Sequence, residues 1–405
     1  MRKILNVLTS VKSIDILLVS AWVHGGLLYY VSTAFRLLTG NELLGSIVFF
    51  IYYTCLVFAS YRHWVRKIRG KDIGLIVILA LIVILSYAFN TANQLNILEN
   101  SKQLFVQVIP FYFVGLLLGS HKKRFDLLYL GSLAAVIVNW LYVFLILGTG
   151  RQMQEDNLAI SYSVLPHVLM LIWYALEKKN LKTILAAVCG SIFIFVMGSR
   201  GPVLSCVVFA IIYYLTSTRC NKRKKIAVVT SLLIVVFIVV GTGFLETVLL
   251  WLREIIVAMN LSTRVIDDVL FNSAVGSDEE RRRIYSILLQ NISEQPLTGY
   301  GIYGEWSMIN YSAHQMVLEL WVHYGVVIGT IILLWSLFTM ITGYKKSPNH
   351  YAKIFVLLMV SFGVVRGIYA GSYLSYYMFM LMGYCVSNIR RYKRYELDRR
   401  LSKDV

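Results

Sequence analysis

The chain has 405 residues, of which 58% are hydrophobic and 15% charged, with a mean hydropathy of +0.67. A soluble domain carries about 25% charged residues, so a water-soluble globular protein is excluded. The apolar residues come in blocks of about 17 to 25, the length that crosses a bilayer. The net charge of +18 sits in short loops between those blocks, which makes it a signal of topology; nucleic acid is not expected as a partner.

Taken in order, the blocks predict about twelve transmembrane helices, at 14–35, 43–60, 72–90, 104–119, 127–148, 159–176, 181–197, 200–216, 226–243, 314–341, 351–367 and 370–388. The expected fold class is therefore an all-α polytopic membrane protein. The opening MRKILNVLTSVKS lacks a small-residue cleavage signature, so the first block reads as a retained helix. Residues 1–243 hold nine spans with short loops. Residues 244–313 form a long outer loop, and residues 314–405 hold the last three spans and a basic tail. With the N-terminus in the cytoplasm, the clusters Arg62–Lys71, His121–Arg124, Lys178–Lys182, Arg219–Lys225, Tyr344–Lys346 and Arg390–Lys403 all fall inside, while the acidic residues gather outside. Both termini are then cytoplasmic.

The long outer loop opens with Leu249, Leu252, Ile256, Met259 and Val265 at helical spacing beside Arg253, Glu254 and Asp267. This predicts an amphipathic helix, either lying on the outer membrane surface or packed on the bundle as a lid. Asp278, Glu279 and Glu280 follow, then Arg281, Arg282 and Arg283, and then turns marked by Pro296, Gly299, Gly301 and Gly304. The cysteines (Cys55, Cys189, Cys206, Cys220 and Cys385) avoid this loop and form no CxxC pair, which argues against disulfides and a thiolate metal site.

Several residues could carry chemistry. Arg200 stands in MGSRGPV at an outer turn, with Pro202 suited to the first turn of the next helix. A helix start and a guanidinium together suit an anion such as phosphate; the plainer alternative is an interfacial Arg reaching for water. Arg281, Arg282 and Arg283 either pair with the preceding acids or send one member into a polar cavity to hold a second anionic group. His314 stands where the tenth span begins and could accept a hydroxyl proton. Glu319 and His323 share one face of that span and could pair; Gly325 and Gly329 form a small-residue face for helix packing. His24 and His167 read as buried polar packing. Arg366 is another outer arginine, followed by Tyr369, Tyr373, Tyr376 and Tyr377, which either stack on sugars or form the aromatic belt. There is no HExxH, DxD, Walker or dinucleotide motif, so neither a metal nor a cofactor is expected. Arginines and helix ends would have to stabilise any phosphate leaving group.

Three motifs in order give a resemblance. Ser199-Arg200-Gly201 opens a span; Arg281 precedes Pro296-Leu-Thr-Gly-Tyr-Gly301; and His314 enters a span that contains Gly325 and Gly329. In this the chain resembles the bacterial O-antigen ligase and O-antigen polymerase superfamily, with Gln315 where the family usually has Asn. The resemblance covers about residues 190 to 330. It implies a fold resembling the glycosyltransferase C type in the bacterial cytoplasmic membrane, with the active site on the outer face. It also implies metal-independent glycosyl transfer from undecaprenyl-diphosphate-linked glycans, with inversion at the anomeric carbon. Carried over residue by residue, Arg200 and Arg281 (or Arg282) would bind the donor diphosphate, and His314 would position or deprotonate the acceptor hydroxyl. Arg283, Glu319, His323, Arg366 and Tyr369 complete the candidate substrate-binding set. The polymerase is favoured, because the motif neighbourhood has diverged and polymerases vary with the sugar repeat each one meets. A ligase with another acceptor and a flippase for lipid-linked sugar are the alternatives. Membrane lipids, a flippase and a chain-length regulator are the expected partners.

Overall fold

The computed structural model describes residues 13–28, 68–119, 122–148, 157–197, 200–216, 275–369 and 371–402, with isolated positions between 30 and 54 and between 250 and 270. Every regular element among them is helical. In chain order these are α1 (Ser13–Val23, continued by a π turn His24–Leu28), α2 (Gly70–Phe89), α3 (Gln94–Gln103), α4 (Ile109–Leu117) and α5 (Lys122–Gly148). Next come α6 (Asn157–Lys178), α7 (Leu181–Val196), α8 (Arg200–Thr216), α9 (Val275–Glu294) and α10 (Trp306–Ile309). The last three are α11 (Met316–Lys345), α12 (His350–Tyr369) and α13 (Tyr376–Leu401).

Five of the described helices are long and apolar enough to cross a bilayer: Gly70–Phe89, Lys122–Leu145, Ala159–Lys178, Met316–Lys345 and His350–Ile368. Leu18–Leu27, Leu181–Val196 and Gly201–Thr216 are shorter apolar helices. The protein is thus an all-α, multi-spanning membrane protein. The twelve-span count goes further than these five helices. The expected span at 226–243 lies outside the described residues, and that at 43–60 largely does. The expected span at 104–119 is the end of a longer helical run that begins at Gln94 and passes through a π turn at Leu104–Val108. Large apolar side chains on the surface fit lipid contact. Ile73, Val77, Ile78, Leu81, Ile84 and Leu85 are exposed along α2, and Val327, Ile331, Leu334, Trp335 and Phe338 along α11. In water such stripes would cause aggregation; in lipid they need no partner.

The chain forms two compact units, one of residues 1–22, 50–127 and 278–405, the other of residues 23–49 and 128–277. The expected outer loop contributes to both. In the first unit, α13 is the central helix. It crosses α4 closely, because a Cβ at Gly115 would strike the Met380 carbonyl and one at Gly383 would strike that of Tyr112. It also meets α11, where a Cβ at Gly343 would lie 2.5 Å from that of Cys385. Small residues are what allow membrane helices to approach at this range. At one end of this unit, Arg390 forks onto Asp72 with contacts of 2.7 and 2.9 Å, and Tyr112 donates to the same carboxylate at 3.0 Å. Asp72 also accepts from the Arg69 N–H, closing the start of α2.

In the second unit, His24 and His167 are buried as expected, and His167 fills the space that a Cβ on Gly26 would need. Of the expected amphipathic helix, residues 250–254 are helical, with Leu250 and Trp251 exposed. Arg253 pairs with Asp267 at 2.6 Å, and Ile266 packs with Phe195, Leu252 and Leu270. Cys189, Cys206 and Cys385 are free thiols, while Cys55 and Cys220 lie outside the described residues.

Candidate functional site

The first unit builds its site around a break in α11. Gly325 has φ 76° and ψ 166° in the middle of this helix, so the carbonyls before it and the N–H after it lose their helical partners. Inside a bilayer such groups must be satisfied by protein. The glycine-rich segment does so. Tyr300 N–H donates to the Val322 carbonyl at 2.7 Å, Gly301 N–H to that of His323 at 3.1 Å, and Val326 N–H donates to the Pro296 carbonyl at 2.7 Å. Gly299, with φ 65°, lets the two backbones touch, since a Cβ there would lie 2.5 Å from Gly325 N. The Pro296–Gly301 motif is thus the missing half of a helix bend. Gly325 and Gly329 serve that bend, which corrects the expected helix-packing face: a Cβ on Gly329 would press the Leu320 carbonyl of its own helix. The ends of α2 and α3 pin the segment from the other side. Ile302 N–H donates to Ser86 Oγ at 3.0 Å, and Asn90 and Asn93 donate to the carbonyls of Tyr300 and Tyr303.

The segment beyond this bracket lines a pocket of about 290 Å³, close to the lower end of small-molecule sites, about 300 Å³. Its walls carry Asn100 and Gln103 from α3, Glu305 and Trp306 at the start of α10, His314 and Glu319 at the start of α11, and Arg366 and Tyr376 from α12 and α13. Gln315 accepts the Leu318 N–H at 2.6 Å and so caps α11; an Asn amide could accept the same way. The cap sets His314 one residue outside the helix, exposed, with φ 51° and its ring stacked on Tyr311. The protein packed around its imidazole, and then the charges of Arg281 and Arg366, hold its pKa below the usual 6.5, against an opposing pull from Glu305.

Of the three adjacent arginines, Arg281 is the one whose charge acts on His314. It sits one turn before Ile284, Leu288 and Ile292, the buried stripe by which α9 packs on Ile309, Ala313, Leu318 and Val322. Arg281, Arg282 and Arg283 are all exposed. Of the three preceding acids, the alternative partners, Glu279 is exposed, and the side chains of Asp278 and Glu280 lie outside the described residues. Arg366 lines the pocket over Phe362, 5.7 Å from its ring centre.

The expected Glu319–His323 pair is not what forms. His323 instead makes a short contact through Nε2 with Glu305, while its Nδ1 meets the Tyr373 hydroxyl at 2.8 Å. Glu319 accepts from Ser372 Oγ at 2.6 Å and from Tyr373 N–H at 3.1 Å. The segment after α12 and the one before α10 reach these groups before they reach each other. Among the described residues, Glu305, Glu319 and His323 are also the group that could hold a metal ion, with one donor atom from each within 4.8 Å of the others. Sequence reading missed this cluster because Glu305 stands apart from the pair in the chain. The signal was present: an acid in the apolar stretch just after the glycine motif. Tyr377 is core, packed at 4.4 Å on Phe362. The side chain of Tyr369 lies outside the described residues.

Arg200 belongs to the second unit. It is the first residue of α8, as expected for a helix start; its side chain and Ser199 lie outside the described residues. Gly201 is required there by Tyr162, whose hydroxyl occupies the place of a Cβ.

The helices and this recess define a polytopic helical membrane protein with a polar, charged pocket beside an imidazole whose pKa is held down. Residues 185–334 match the family model described as O-Antigen ligase. The match covers 150 of the 405 residues, and it does not separate polymerase from ligase. It spans Arg200, Arg281, the glycine bracket and His314, while Asn100, Gln103, Arg366 and Tyr376 lie outside it. No curated protein matches the chain.

Proposed function

We propose that the chain polymerises undecaprenyl-diphosphate-linked repeat units into O-antigen, capsular or exopolysaccharide at the outer face of a bacterial cytoplasmic membrane. It does so with about twelve spans, a fold of the glycosyltransferase C type, and both termini in the cytoplasm. The observation that carries this reading is the pocket at His314, lined by Arg366 and within the field of Arg281. Fixed cations of this kind stabilise the diphosphate as it leaves, with no metal required. A neutral imidazole beside them positions or deprotonates the acceptor hydroxyl. Arg200, in the second unit, offers a guanidinium and a helix start to an anion.

A ligase is the second reading, favoured by the description of the family that matches. It differs only in the acceptor. Reconstitution with lipid-diphosphate repeat units in the absence of metal tests both. The polymerase yields a ladder of longer glycans that Arg200→Ala and Arg281→Ala each abolish. A ladder that survives both substitutions overturns the assigned roles. Transfer to lipid A-core with no ladder establishes the ligase.

A further inference from the structure

The pocket contains an acid–base pair that this mechanism does not use. Glu305, His323 and Glu319 are fully buried, where an unpaired charge costs several kcal/mol. His323 Nδ1 lies 2.8 Å from the Tyr373 hydroxyl, which lies 2.9 Å from that of Tyr324. Nε2 accepts from Tyr303 N–H at 3.0 Å. Glu305 Oε2 is in contact with the same nitrogen. Oε1 of Glu305 has no hydrogen-bond partner, although Glu305 lines the pocket. A metal ion suits this site less well: the Nε2 lone pair is taken by Tyr303 N–H, and both oxygens of Glu319 already accept from Ser372 and Tyr373.

We propose that Glu305, backed by His323, is the base that takes the proton of the acceptor hydroxyl in this pocket. The inference rests on the glycosyl-transfer reading. The hydroxyl proton passes to Glu305 Oε1, and the carboxylate becomes a carboxyl group. The acceptor oxygen bonds to the anomeric carbon, and the bond from that carbon to the diphosphate breaks, the electron pair leaving with the diphosphate. His314 then positions the hydroxyl. Glu305 is the catalytic residue in this scheme, and His323 and Glu319 are positioning residues.

The test measures turnover against pH with the reconstituted chain and a lipid-diphosphate repeat unit. Glu319, His323, Tyr303, Tyr324 and Tyr373 surround Glu305, and His314 and Arg366 share its pocket, so the profile is compared between variants. Glu305→Gln is expected to lower turnover by about 10²- to 10⁴-fold and to remove the acid limb, with competition by unlabelled lipid diphosphate unchanged. Glu305→Asp keeps the limb with a smaller loss, and serves if the Gln variant does not fold. His323→Gln is expected to displace the limb.

Three results overturn the proposal. Glu305→Gln could turn over like wild type with the limb merely shifted, which leaves His314 as the base. It could be slow with an unmoved limb, which makes Glu305 structural. Wild-type activity could be lost to a chelator and restored by a divalent cation, which makes the cluster a metal site. A wild-type chain that extends no glycan and transfers to no acceptor sinks the transfer reading itself.

Discussion

His314 owes its charge state to its neighbours. Its pKa is depressed by the surrounding protein and by Arg281 and Arg366, so the ring gives up its proton at lower pH than a free imidazole does. Any step that needs the neutral ring therefore persists below pH 6.5 and fails only under the depressed value. Removing a positive neighbour raises that value. Arg366→Gln is accordingly expected to move the point at which His314 takes up a proton to higher pH, read from the pH dependence of its modification by diethylpyrocarbonate. The same comparison separates the three adjacent arginines. Arg281→Ala is expected to cut glycan extension by at least about 10²-fold, the scale on which a fixed transition-state donor acts. Arg282→Ala and Arg283→Ala each leave it within about twofold. Equal losses for all three would mean that the cluster acts as diffuse charge, and that the position of Arg281 above the buried stripe of α9 is immaterial.

At the scale of elements, the site depends on the bend in α11 and the segment that completes it. Gly325→Ala meets two penalties. An extended backbone at positive φ, essentially reserved for glycine, costs a side chain about 1–3 kcal/mol, and the added Cβ collides with the Leu297 carbonyl. Gly299→Ala likewise faces a positive φ and a clash, here with Gly325. Both are expected to abolish activity and to lower the melting temperature in detergent far more than Gly74→Ala, where a Cβ meets nothing within 4 Å. The fork between Arg390 and Asp72 is a second hinge of stability. Breaking a buried pair costs about 3–5 kcal/mol, and Arg390 keeps 22% of its side chain exposed, so Asp72→Asn is expected near the lower end, about 3 kcal/mol. Asp72→Asn with Arg390→Gln should recover part of that loss, because no unpaired charge remains; thermal unfolding of the single and double variants checks it. Much of this was visible along the chain: the glycines, the proline and the two acids stand in plain sequence. What they bind was not, because the partner carbonyls appear only once α11 breaks.

For the whole molecule, the pattern of charge predicts an orientation. The basic clusters alternate with the apolar blocks as the positive-inside rule requires. In a background without the five native cysteines, Ser307→Cys, beside the pocket, is expected to react with an impermeant maleimide from outside intact cells. Ser402→Cys, in the C-terminal tail, is expected to react only after the membrane is opened. The reverse pattern would place the pocket in the cytoplasm and remove the ground for an outer-face reaction.

Composition and block length alone determined that this protein is helical and crosses a membrane many times, since a bilayer accepts few other solutions for such a chain. Motif order alone pointed to Arg200, Arg281 and His314. Tertiary structure decided which charges share a pocket: it set Arg366 and Glu305 beside His314, gave His323 Glu305 in place of Glu319 as its hydrogen-bond partner, and turned Gly325 from a packing surface into a bend. Helical spacing reports which residues share a face. It cannot report which segment, distant in the chain, will arrive to take the hydrogen bonds that a broken helix leaves open.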